Sequence, residues 1–204
     1  MSDRPILIGK FLSPYVRRVG ITLTHYGVAF DRLPFSAIDD REERERYNPL
    51  GRVPALALSD GRTLVDSAAI IDHFDELAGD DALTPQHGSE RVRVLQQVAI
   101  STGTIDKLMA ANAERRRPAE RQMSDRLALL KSQALAGFDA LEALLGGQAF
   151  FGTRFAQGDL TASVALSFAN HIFPDLVDPK RFPALSAQST EREGSKLYQE
   201  CAID

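Results

Sequence analysis

The spacing of apolar residues changes once along this chain, and the change divides it into two parts of different architecture. Near the start, Ile6-Leu7-Ile8 is a short apolar run ending at Gly9, the pattern of a strand covered on both faces. Ser13-Pro14 follows as a helix start, with serine at the N-cap and proline at the first helical position. Val16, Val19, Leu23 and Tyr26 then recur every three or four residues until Gly27. A weaker strand spans Val28 to Phe35, and the charged stretch Asp39 to Tyr47 reads as a short exposed helix or a loop. Ala55 to Leu58 and Thr63 to Val65 are apolar runs around Asp60-Gly61, a hairpin signal. Asp66-Ser67 opens a further helix whose buried face is expected to carry Ile70, Ile71, Phe74 and Leu77.

After a linker at 79–88 only the helical period remains. Val92, Leu95, Ala99, Leu108 and Met109 predict a helix over 89–113. From Met123, the residues Leu127, Leu130, Ala134, Phe138, Leu141 and Leu145 predict another, stopped by Gly146-Gly147. Two more are predicted over 158–171 and 183–200. The pattern gives an α/β domain over residues 1–79 with a small mixed sheet, then an all-α helical bundle over residues 88–204.

Composition narrows the function classes. The 204 residues are 44% hydrophobic and carry 24 basic against 28 acidic residues, a net charge of -4, which gives no reason to expect nucleic acid or an anionic membrane as partner. Arg115-Arg116-Arg117 is too short a run for a phosphate track and reads as a solvated loop. No apolar run approaches the ~20 residues that span a bilayer, and no apolar signal core opens the chain. Cys201 is the single cysteine, so no intrachain disulfide forms, a reducing compartment fits and a cytoplasmic location is expected. His25, His73, His87 and His171 have no metal-ligand spacing, and no metal is expected; His171 is read as a packing or surface residue, or else as part of a pocket.

Three polar features each have an ordinary structural reading and a ligand-binding one. Pro54 precedes a strand; a trans bond is the ordinary case, whereas a cis bond would turn the Val53 N–H and C=O outward for an extended peptide. Asp66-Ser67 is a helix cap, or a carboxylate and a helix terminus suited to the ammonium and carboxylate of a small peptide's amino-acid end. Ser13 is likewise a cap, or a hydroxyl that donates to a thiolate favoured by the positive helix end.

The runs Ser13-Pro14-Tyr15-Val16-Arg17-Arg18-Val19 and Asn48-Pro49-Leu50-Gly51-Arg52-Val53-Pro54-Ala55-Leu56, with Asp66-Ser67, resemble the cytosolic glutathione transferase superfamily. The likeness is to bacterial transferase-like proteins and the serine-type tau class, and it extends over the whole chain. It implies a thioredoxin-like N-terminal domain, a helical C-terminal bundle, a homodimer, and glutathione as co-substrate. By the same resemblance Ser13 faces the glutathione sulfur, and Val53 before a cis Pro54 pairs with the cysteinyl backbone. Asp66 and Ser67 hold the γ-glutamyl end, and Arg52 meets the glycyl carboxylate. The implied chemistry is attack of the thiolate on a hydrophobic electrophile. Its pocket is expected between the domains, floored by Leu12 and Ser13 and walled by Asp106, Met109 and Asn112. A non-catalytic regulatory or interaction role, or glutathione-dependent peroxide reduction or dehalogenation, are the alternatives.

Two departures stand out. The family places Ser or Thr three residues before an aspartate in the second domain, whereas here Ala156 precedes Asp159. Position 13 is serine with no cysteine nearby, so mixed-disulfide chemistry is not expected. Cys201 is read as incidental.

Overall fold

In the computed structural model, which describes residues 4–36, 39–146 and 154–204, Ile6–Ile8 is strand β1 and Pro14–His25 is helix α1. Strand β2 is Asp31–Leu33, shorter than the expected 28–35, and Arg41–Glu45 is a one-turn helix, α2. Ala55–Ala57 (β3) and Thr63–Val65 (β4) form the hairpin, and Ser67–Ala78 is α3. The sheet order is β2-β1-β3-β4, with β1 parallel to β2 and antiparallel to β3, and β3 antiparallel to β4.

Then come α4 (Gly88–Arg115), α5 (Ser124–Gly146), α6 (Gln157–Ile172), α7 (Pro183–Glu193) and α8 (Lys196–Gln199). The expected stop at Gly146-Gly147 agrees with α5 as far as Gly146; Gly147 lies outside the described residues. Helix 183–200 is not continuous. Gly194-Ser195 breaks it, and Ser195 has extended backbone (φ -78, ψ 149).

The chain divides into two compact units, Met1–Gln86 with Gly194–Asp204, and His87–Glu193. The final segment, expected with the helical part, therefore packs with the α/β part. The reason is apolar: Tyr198 and Cys201 are buried, and Cys201 lies against α1.

Within the second unit, the stripe of α4 differs from the one its apolar residues predict. Val92, Leu95, Ala99 and Met109 are exposed, while Val94, Gln97, Ser101, Thr104, Ile105, Leu108 and Ala111 are buried. Small or polar residues occupy the buried face because neighbouring helices approach closely there. A Cβ on Gly137 of α5 would lie 2.0 Å from Thr104 Oγ1, and one on Gly158 of α6 would lie 2.2 Å from Gln97 Oε1. The hydroxyls donate to their own helix, Ser101 to Gln97 O and Thr104 to Ile100 O, both at 2.8 Å, so their burial leaves no donor unpaired. On α3, Ile70, Ile71 and Phe74 are buried as expected, but Leu77 is 68% exposed. The buried stripe is rotated toward Asp75, which accepts a hydrogen bond from Tyr26 Oη of α1, so Leu77 falls at its margin.

Candidate active site

Register places the polar features at one end of the sheet. Ile8 is opposite Leu33 on β2 and Ala55 on β3, and Ala55 is opposite Val65 on β4. The loop after β1, the Val53-Pro54 pair before β3 and Asp66 after β4 therefore all leave the sheet at the same edge. Gly9 tightens this arrangement. Its φ is +124, and a Cβ there would lie 2.6 Å from Val16 Cγ2 and 2.9 Å from Val53 Cβ. The start of α1 and the Val53 segment thus meet over a residue that has to lack a side chain.

Ser13 is the N-cap of α1, half-buried, with Pro14 next and Oγ 3.5 Å from the Val16 amide it accepts from. That long contact leaves the hydroxyl proton directed elsewhere, so capping and donation to an anion are compatible. The Val53–Pro54 peptide bond is cis. Neither the Val53 N–H nor its C=O is hydrogen-bonded among the described residues. Asp66 caps α3, with Oδ1 accepting from the Ala68 amide at 3.2 Å and from Ser67 Oγ at 3.4 Å. Its φ of +72 is rare for a residue other than glycine, and such backbone recurs at functional sites. Asp66 is exposed and Ser67 buried. Two helix N-termini, those of α1 and α3, therefore direct positive dipole ends to one sheet edge.

Three further residues hold this edge that motif reading alone does not single out. Asn48, buried, accepts from the Leu50 amide at 3.0 Å and donates to Arg52 O at 3.1 Å. Arg44 of α2 is also buried; it donates to Gly51 O at 2.9 Å and to Ser36 O. Together they shape the 48–52 turn that leads to Val53. Arg18 of α1 is buried, and burial lowers its pKa to about 10 against the opposing fields of Tyr15, Asp66 and Asp75. Its Nε has no hydrogen-bond partner among the described residues. The only sequence signal for these three was their position inside the quoted runs or, for Arg44, none.

Arg52 is exposed and Leu12 half-buried. Asp106, Met109 and Asn112 belong to the second unit: the first two are exposed on α4, and Asn112 accepts from Arg115 Nη2 at 2.9 Å. His171 is exposed at the end of α6. Cys201 is buried, and burial pushes its thiol pKa up, the opposite of a nucleophile's environment. Among the described residues no group of three or more His, Cys, Asp or Glu is arranged to hold a metal ion. No helix among them is long and apolar enough to cross a membrane.

Comparison with known proteins gives consistent matches. Residues 12–77 match the model of the glutathione S-transferase N-terminal domain, and residues 111–187 match that of the C-terminal domain. A GST-like protein of Escherichia coli (strain K12), YibF, is 30% identical over 68% of this chain and 69% of its own length. The maleylacetoacetate isomerase of Mus musculus is 28% identical over 97% of this chain and 92% of its own. Among solved structures, a glutathione transferase family member from Pseudomonas fluorescens Pf-5 with bound glutathione superposes with a TM-score of 0.88 at 27% identity, covering 98% of this chain and 99% of that one.

Proposed function

This chain belongs to the glutathione S-transferase family, and on that premise we propose that it binds glutathione and activates its thiol for attack on a small electrophile. The observation that carries the reading is the convergence, at one sheet edge, of the Ser13 hydroxyl, the unpaired Val53 backbone and the Asp66-Ser67 helix start. In this reading Ser13 Oγ donates to the sulfur, and the α1 dipole adds to the stabilisation of the thiolate. Each tenfold gain in thiolate fraction corresponds to about 1.4 kcal/mol. Val53 pairs with the cysteinyl N–H and C=O. Asp66 takes the γ-glutamyl ammonium, while Ser67 and the α3 N-terminus take its carboxylate. Arg52 meets the glycyl carboxylate. A carbon–sulfur bond then forms as the electrophile's leaving group departs or its anion is protonated.

The resemblance to maleylacetoacetate isomerase over nearly the full chain favours a second reading. There the same thiolate adds to a conjugated double bond, rotation follows, and elimination returns glutathione, so nothing is transferred. The reading also includes a homodimer and a cytoplasmic location, where reduced glutathione is available.

The test is a glutathione titration of wild type and Ser13→Ala, followed by assays with an aryl halide and with a diketo diacid that carries one cis carbon–carbon double bond conjugated to a ketone. Ser13→Ala is expected to keep glutathione binding and lose about 100-fold in turnover, comparable to removing one donor to a developing anion. Absence of glutathione binding by wild type would overturn the reading. Isomerisation without conjugation would select the second one.

A further inference from the structure

The final segment of the chain reaches the loop that carries Ser13. Asp204 Oδ1 accepts from the Phe11 amide at 2.6 Å, and Oδ2 pairs with Arg32 Nη2. The Arg32 guanidinium in turn lies 3.8 Å over the centroid of the Phe11 ring. Upstream, Arg17 Nε donates to Cys201 O at 2.8 Å and anchors the segment to α1. Gly20 leaves the space: a Cβ there would sit 2.5 Å from Phe11 Cε1 and 3.2 Å from Cys201 Sγ.

Phe11 N–H and Lys10 C=O belong to one planar peptide group, so fixing one fixes the other. Lys10 O accepts the Ser13 amide at 3.0 Å. A continuous relay therefore runs from Arg32 through the Asp204 carboxylate and the Lys10–Phe11 peptide to the backbone of Ser13. Its hydrogen bonds are charge-assisted at one end and polarise one another along the chain. The next tie upstream in the loop is at Gly9, whose amide donates to Leu33 O at 2.8 Å. Between Gly9 and Ser13, Asp204 sets the orientation of the peptide on which the Ser13 turn rests.

We infer that Asp204 is a positioning residue for Ser13: by holding the Lys10–Phe11 peptide plane it sets where the Ser13 hydroxyl points, with Arg32 holding the carboxylate in place. The effect on turnover rests on the glutathione reading above; the effect on the loop does not.

The experiment compares wild type, Asp204→Ala and Asp204→Asn. Amide hydrogen exchange at Phe11 and Ser13 is measured without ligand, and the pH dependence of kcat with glutathione and an aryl halide is measured alongside. Asp204→Ala is expected to speed exchange at both amides by about tenfold or more. It should lower kcat about tenfold at little change in KM for glutathione, and move the acid limb of the pH profile upward, because a misplaced hydroxyl stabilises the thiolate less. Asp204→Asn keeps an oxygen for the Phe11 amide and is expected to retain most of the activity and protection. Unchanged exchange in Asp204→Ala overturns the inference, whatever wild type does with glutathione. So does faster exchange with an unshifted pH limb in a wild type that turns over. If wild type binds no glutathione while Asp204→Ala still loosens both amides, the relay stands and the functional reading falls.

Discussion

Gly20 shows how much a single absent methyl group decides. It lies mid-helix, where glycine costs about 1 kcal/mol relative to alanine, yet Phe11 and Cys201 occupy the volume a side chain would take. Gly20→Ala is therefore expected to lower stability by about 1–3 kcal/mol despite the better helix propensity, as overpacked cores do. Urea denaturation measures this, and a stabilised variant would contradict the packing. Ala156 is the reverse case. It is the N-cap of α6 and has no side-chain acceptor, so only Asp159 caps, its Oδ2 accepting from the Ala156 amide at 3.0 Å. Ala156→Ser supplies the missing half and is expected to add about 1 kcal/mol in the same assay.

At the scale of the elements, burial of the first turn of α6 creates a titration signature in the acid range. Asp159, in its first turn, is mostly buried, and burial raises its pKa although Ala156, Gln97 and Gln188 donate to it. A carboxyl with a folded pKa above its unfolded value favours the fold below about pH 4 and loses that contribution as pH rises through the folded pKa. Asp159→Asn keeps an acceptor without the charge. Its stability relative to wild type is expected to improve as pH is raised from about 4 to 7, read from denaturation midpoints. Helices were legible in the sequence where apolar residues make the contact, as in α1 and at Ala134, Phe138 and Leu141 of α5. The pattern is silent where it is made by Gln97 and Thr104 against glycine, since polar side chains on a buried face read as surface. Of the candidate site, the helix caps Ser13 and Asp66 and the turn ahead of Pro54 were legible because turn and cap chemistry restricts residue type there. Asp204, Arg32 and Arg44 were not, since each acts on backbone groups distant in sequence, and any residue type can offer those.

At the scale of the molecule, the first unit is built from two stretches of chain separated by the whole of the second. Tyr198 and Cys201 complete its core from the far end, and Arg17 both lies over the Tyr198 ring and bonds Cys201 O. Cys201 is 1% exposed, and burial raises its thiol pKa, so alkylation requires the segment to leave α1. The alkylation rate of native protein is expected to be at least about 100-fold below that of unfolded protein and to rise in Arg17→Gln, whose anchor is lost. A rate equal to the unfolded value would show that the segment does not stay docked.

That discontinuity has a consequence for synthesis. The helical unit lies on one contiguous stretch of chain, so its folding does not wait for residues 194–204. The α/β unit emerges first yet finishes last, with the slot beside Gly20 and Phe11 open until then. For that interval the nascent chain presents apolar surface from the unit that carries Ser13. Chaperone capture is accordingly expected to fall off only when residues 194–204 are released, so a stretch made before the helical unit depends on one made after it.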